Sequence, residues 1–260
     1  MVLSPNGYLR TIGVGVGVLV FAFIFAQALT LPAVFLDPRI LAFDPATSRL
    51  AILLFVPLNF IGMALACVVY LRVTGKSWTW LDVHAPDKRD LVWIGGGSIV
   101  TISLLLAGGF LSQALGLDVP SSPLVALFRE DLMLILFMLL SVWLFNAPAE
   151  ELLFRNIIQK RSYAAFSGLG AVSFASLLFV LVHLPSYLAI GAEPVALLIP
   201  ISIFFLGSMI MGLAYLRTAN LVVPIAIHGI FNSVQFLLLL ALLLFDIDPE
   251  TALAATMVYS

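Results

Sequence analysis

The sequence predicts an all-α, polytopic transmembrane helix bundle of about seven spanning helices. Two observations carry that expectation. Of 260 residues, 62% are hydrophobic and only 10% are charged, with a mean hydropathy of +1.16, whereas a soluble domain carries about a quarter charged residues. The apolar residues also fall into runs of about 20, the length an α-helix needs to cross the hydrocarbon layer.

The first run, 11–34, follows Arg10 and holds Gly13, Gly15 and Gly17. With no strand before them, these glycines suit helix packing rather than a dinucleotide fingerprint. Arg10, the apolar stretch and Ala26-Gln27-Ala28 together resemble a secretory signal, but the apolar core of a signal is only about 7–15 residues. The run here is longer and leads into further membrane segments, so an uncleaved first helix is expected. The second run, 50–71, contains the only cysteine, Cys67, which can form no intrachain disulfide and is read as packing. A charged loop with Trp78, Trp80 and His84 leads to the third run, 91–112. The tryptophans suit an interfacial anchor, and His84 is expected to be solvated.

Residues 120–128 can form an interfacial helix. Glu130 and Asp131 then favour the start of the fourth run, 132–161, through the helix dipole. The fifth to seventh runs cover 167–188, 194–215 and 221–245. An eighth crossing would need 120–128 or a split of the first run. The loops are short, so residues 1–260 read as one integral-membrane domain, with 130–240 as its chemically equipped core.

Connecting segments alternate sides, and their positive charges set the orientation. One side carries Arg10, Arg72, Lys76, Lys88, Arg89, Lys160, Arg161 and Arg217; the other carries Arg39, Arg49 and Arg129. The N-terminus is therefore expected in the cytoplasm. The net charge of −2 says nothing about nucleic acid, but the lack of a basic run or phosphate-binding loop points away from nucleic acid and nucleotides as partners.

Against this apolar background three polar clusters stand out: Glu150-Glu151 with Arg155, then His183, then His228 with Asn232. Ionisable groups inside a bilayer are costly and mark function by default. If the fourth helix runs through to Lys160-Arg161, Glu150 lies about 16 Å from that basic end at helical rise. His183 then lies about 22 Å, and His228 about 12 Å, from the same surface. With ordinary tilt these depths are compatible, so the clusters can converge on one site reached from the cytoplasmic side.

Spacing sorts the roles. Glu151 and Arg155 are i,i+4, where a carboxylate and a guanidinium meet on one face, so Arg155 is expected to neutralise Glu151 as a structural pair. Glu150 points about 100° away and stays free, with Asn146 beside it. His228, Asn232 and Gln235 form one polar stripe, and Pro224 and Gly229 are candidates for opening the backbone there. The competing readings are a structural ion pair at Glu151–Arg155 and polar groups acting only as helix-to-helix glue. That would make the chain a non-enzymatic scaffold or immunity protein. A proton or ion pathway has only one unpaired acid to work with.

In order, Glu150-Glu151-x-x-x-Arg155, Phe179-x-x-x-His183 and His228-x-x-x-Asn232 resemble the three-motif signature of the CPBP family. This family is also called the Abi or type II CAAX prenyl endopeptidase family. The segment from Leu206-Gly207 through Tyr215-Leu216-Arg217-Thr218 to Pro224 resembles the family's approach to its last motif. The resemblance covers about 130–240 and implies an intramembrane endopeptidase acting on a membrane-associated peptide or lipidated protein. It implies that Glu150 and His183 activate the attacking water while His228 and Asn232 stabilise the oxyanion. A raised carboxylate pKa out of water would suit a general base. Two mechanisms stay open: a metal-free one, and one using a divalent metal such as zinc with Glu150, His183 and His228 as candidate ligands.

Overall fold

The computed structural model describes residues 5–117, 127–128, 131–189 and 194–246. Among them, seven helices are long and apolar enough to cross a membrane, and no strand occurs. They are α1 (Pro5–Leu36), α2 (Arg49–Val73), α3 (Lys88–Leu115), α4 (Leu132–Ser162), α5 (Gly168–Ala189), α6 (Leu198–Thr218) and α7 (Val222–Leu244).

Their starts follow local chemistry. Ser48 caps α2 by accepting from the Ala51 N–H. Asp87 and Asp90 satisfy each other's backbone N–H groups in a capping box that opens α3, which is why α3 begins at Lys88 rather than 91. Asp131 accepts from the Met133 and Leu134 N–H groups at the head of α4, as expected; Glu130 lies outside the described residues. Helix α1 continues through Pro32 without a break, so no extra crossing comes from splitting it. Residues 120–126, where the other was sought, lie outside the described residues.

Helix α4 is the hub of the bundle. Its Ile135, Leu153, Phe154, Ile157 and Ile158 are buried in one cluster with Ile52 and Val56 of α2 and Ala175 and Phe179 of α5. Helices approach most closely at glycines. A Cβ on Gly62 would lie 2.7 Å from the Ala26 Cα, and one on Gly97 or Gly108 would lie 2.5 Å from Ile227 or Ile203. These contacts set α2 on α1, and α3 on α7 and α6. Of the glycines in α1 only Gly15 packs this way, against the Phe174 ring; Gly13 and Gly17 face open surroundings. The outward faces keep large apolar side chains such as Ile24, Val92, Ile99 and Met133 exposed, as a lipid-facing surface does. Cys67 is free and buried.

The two ends of the bundle differ. At one, Asp37 takes both the side chain and backbone of Arg39 and the Ser48 N–H. The hydrogen bond from the Arg39 side chain holds its carboxyl well below the usual carboxylate range. Arg49 pairs with Asp131 at that same end. At the basic end, Asp82 takes Lys160 Nζ at 2.8 Å and the Tyr215 hydroxyl, while its carbonyl accepts from the Leu221 N–H. The Lys160 ammonium also sits 4.4 Å from the centre of the Trp80 ring. The His84 ring is exposed, yet its carbonyl accepts from the Asn220 side chain, so this loop is tied down rather than merely solvated.

Candidate active site

The polar residues of α4 sit in an unusual stretch of helix. Val142–Asn146 and Leu152–Gln159 wind as π-helix on either side of the α-turn Ala147–Glu151. The Ala147 N–H reaches back five residues to the Val142 carbonyl, and Pro148, lacking an N–H, cannot restore the normal pattern next door. Single π-turns of this kind are rare and gather at functional sites.

Glu150 and Glu151 are both buried. The Asn146 amide donates to Glu150 Oε1 at 3.0 Å. Glu151 Oε2 takes Arg155 Nε at 2.8 Å, with both side chains fully buried. Arg155 Nη2 in turn donates to Ser208 Oγ on α6 at 2.9 Å. The expected i,i+4 pair therefore forms, and Glu151 has a second partner. His228 Nδ1 lies 2.8 Å from Glu151 Oε1, and an ionised carboxylate can only accept, so Nδ1 carries the proton. That leaves His228 Nε2 on the side of Glu150, 3.8 Å from its Oε2. Glu151 thus orients a site histidine, a role that the helical spacing within α4 could not reveal.

His183 is set by its own helix. Its Nδ1 donates to the Phe179 carbonyl at 2.7 Å, leaving Nε2 as the acceptor of a neutral ring. The imidazole lies between two aromatic rings, with centroids 4.5 Å from Phe179 and 5.0 Å from Phe204. Asn232 Nδ2 donates to Asn146 Oδ1 at 2.8 Å, so Asn146 links Glu150 to the α7 stripe. Helix α7 is unbroken from Val222 to Leu244, so neither Pro224 nor Gly229 opens it. Pro224 stands in the first turn, where its missing N–H costs little. Gly229 makes room for the Trp143 ring, which a Cβ would meet at 2.8 Å.

Glu150, His183, His228, Asn232 and Gln235 all line one cavity of about 170 Å³ between α4, α5, α6 and α7, walled mainly by apolar side chains such as Phe179, Ile203 and Phe231. This volume admits several waters, each needing about 30 Å³. Among the described residues, no group of three or more His, Cys, Asp or Glu side chains is placed to hold a metal ion. In both histidines Nδ1 is taken, in His228 by Glu151 and in His183 by the Phe179 carbonyl, and each ring keeps its Nε2. The chemistry these side chains offer is that of a carboxylate, two imidazoles and an amide around a small cavity. Sequence reading missed Ser208 and the joining role of Asn146. Both are polar residues within apolar helices, and that is the only signal they gave.

Residues 132–234 match the family model described as type II CAAX prenyl endopeptidase Rce1-like. No curated protein and no solved structure matches the chain.

Proposed function

We propose that this multi-pass membrane protein, whose residues 132–234 match the type II CAAX prenyl endopeptidase Rce1-like family model, hydrolyses a peptide bond of a lipidated, CAAX-like or otherwise membrane-associated peptide. The observation that carries the reading is the convergence of Glu150, His183, His228 and Asn232 on one buried cavity. Polar residues serving only as glue between helices have no need of such a space.

In this reading a water in the cavity gives a proton to Glu150 while its oxygen attacks the scissile carbonyl carbon. His183 Nε2, the free acceptor of its ring, helps to orient that water. The carbonyl π bond opens to an oxyanion, which Asn232 and His228 stabilise. Asn232 spends one amide hydrogen on Asn146 and keeps the second. His228 Nε2 donates when the ring carries both protons, with Glu151 supplying the compensating negative charge at Nδ1. Donors of this kind contribute about 3–4 kcal/mol each. The C–N bond then breaks, and the amine leaves with the proton that Glu150 took. An apolar wall suits a lipid-modified substrate, since each buried methylene adds about 0.8 kcal/mol. The charge asymmetry of the loops supports an entry on the cytoplasmic side.

The test is purified protein acting on a prenylated CAAX-type peptide. Wild type is expected to cleave, and Glu150→Ala and His183→Ala to lose cleavage while inserting and extracting normally. Turnover retained by pure Glu150→Ala would remove the general-base role.

A further inference from the structure

We infer that Gly207 is a specificity-determining position, which leaves room beside the reacting groups for a bulky apolar side chain of the substrate. The inference rests on the peptidase reading above. Six other buried glycines in this bundle are filled by their neighbours. At Gly15, Gly62, Gly97, Gly108, Gly212 and Gly229 an added Cβ would meet another atom within 3.0 Å. Gly207 is buried as well, yet a Cβ there would meet nothing within 4 Å. Burial without a neighbour means that the missing side chain leaves unfilled space, and Gly207 lines the site cavity.

Its place in α6 fixes what that space adjoins. Phe204, three residues earlier and on nearly the same face, stacks on the His183 ring at 5.0 Å. Ser208, the next residue, anchors Arg155, which holds Glu151 and through it His228. Gly207 therefore lies between the ring that borders His183 and the chain of contacts that orients His228. Ile203 and Met211, one turn to either side on the same face, line the same cavity. The flanks of the space, Ile203 and Met211, are apolar, so it suits an apolar substrate side chain next to the scissile bond rather than a charged one. Elsewhere on α6, Gly212 does ordinary packing, with Gln159 and Val172 each 2.8 Å from a would-be Cβ.

The experiment varies both sides of the contact. Farnesylated CAAX-type peptides carrying Ala, Val or Phe just after the scissile bond are assayed with wild type, Gly207→Ala and Gly207→Leu. Each variant is first checked for monodisperse extraction. Adding a methyl and then a four-carbon side chain fills the space in steps. The ratio of kcat/KM for the Ala peptide to that for the Phe peptide is expected to rise about threefold in Gly207→Ala and at least tenfold in Gly207→Leu. Gly207→Ala meets no atom and favours the helix, so it keeps the test alive if the Leu variant does not fold. Binding of the same peptides in a Glu150→Gln background gives a readout independent of turnover, and the same graded loss of the Phe peptide is expected there. Cleavage by wild type with an unchanged Ala-to-Phe ratio in both variants would overturn the role of Gly207 and leave the peptidase reading standing. Size-selective binding without any cleavage by wild type would do the reverse.

Discussion

Glu151 and His228, 77 positions apart in the chain, meet through a 2.8 Å hydrogen bond from Nδ1 to Oε1, while the other oxygen of the same carboxylate holds Arg155. One buried acid thus supports both a neighbouring guanidinium and an imidazole facing the cavity. Folding and chemistry are joined at this residue.

Glu151→Gln is accordingly expected to damage both. Leaving Arg155 buried without its counter-charge costs about 3–5 kcal/mol, seen as lower yield and a lower Tm in detergent. Arg155→Ala should show the same instability. In the fraction of Glu151→Gln that folds, loss of a hydrogen bond to a charged group, worth about 1.5–3 kcal/mol, should lower kcat/KM about 10- to 100-fold. A stable and fully active Glu151→Gln would show that the contact with His228 does nothing.

Asn146 provides a cleaner separation. It donates to Glu150 and accepts from Asn232 but belongs to no ion pair. Asn146→Ala is expected to lower kcat/KM on a prenylated peptide about 10- to 100-fold by the same hydrogen-bond magnitude, with little change in Tm. Asn146→Asp should be worse than Ala, because it sets a second carboxylate against Glu150. Equal activities for the Ala and Asp variants would contradict a role in placing Glu150.

Helix number, span positions and the order of the polar clusters were legible in the sequence because hydropathy, rise per residue and i,i+4 spacing act within one helix. The pairing of Glu151 with Arg155 and the nearness of Asn146 to Glu150 are relations of that local kind. What lay between helices was not legible. The contact of His228 with Glu151, the anchoring of Arg155 by Ser208 and the link from Asn232 to Asn146 depend on how α4, α6 and α7 rotate against each other. No periodicity within one helix encodes that rotation. Asp82 was hidden for a different reason: it stands in a charged loop where no spacing marks it, yet it binds Lys160, Tyr215 and the Leu221 backbone. The expectation that Gly229 opens α7 failed because the space beside it belongs to the Trp143 ring.

Helix α2 approaches α1 closely at Gly62. A side chain at Gly62 would press on the Ala26 backbone, which cannot swing aside as a side chain can. Gly62→Val is expected to cost at least the 1–3 kcal/mol typical of overpacking. A drop in Tm with kcat/KM of the surviving protein near wild type would match. An unchanged Tm would mean that the two helices slide freely.

Orientation can be read by cysteine labelling. Cys67 is buried, so the wild-type protein should react little, and Cys67→Ser supplies a clean background. Ala164, in the loop after α4, and Ala46, in the loop before α2, are both exposed and lie at opposite ends of the bundle. Ala164→Cys should be labelled only by reagents that reach the cytoplasm, and Ala46→Cys by impermeant reagents from outside. The reverse pattern would move the entry of the site to the other leaflet.

The π-turn at Val142–Asn146 also gives α4 a reserve of length. A turn that holds one residue beyond the α-helical number can give that residue up and close as an ordinary turn, with the flanking segments still facing as before. Leu144, an exposed side chain in this turn, could be removed, leaving Ser141 and Asn146 on their present faces. Leu140 is just as exposed but lies in the regular helix. Even with the π-turn closed, its loss would rotate the buried Ser141 and Val142 by about 100°. Two neighbouring leucines with the same exposure thus differ in what their deletion does, and natural shortening of this helix would be tolerated at only one of them.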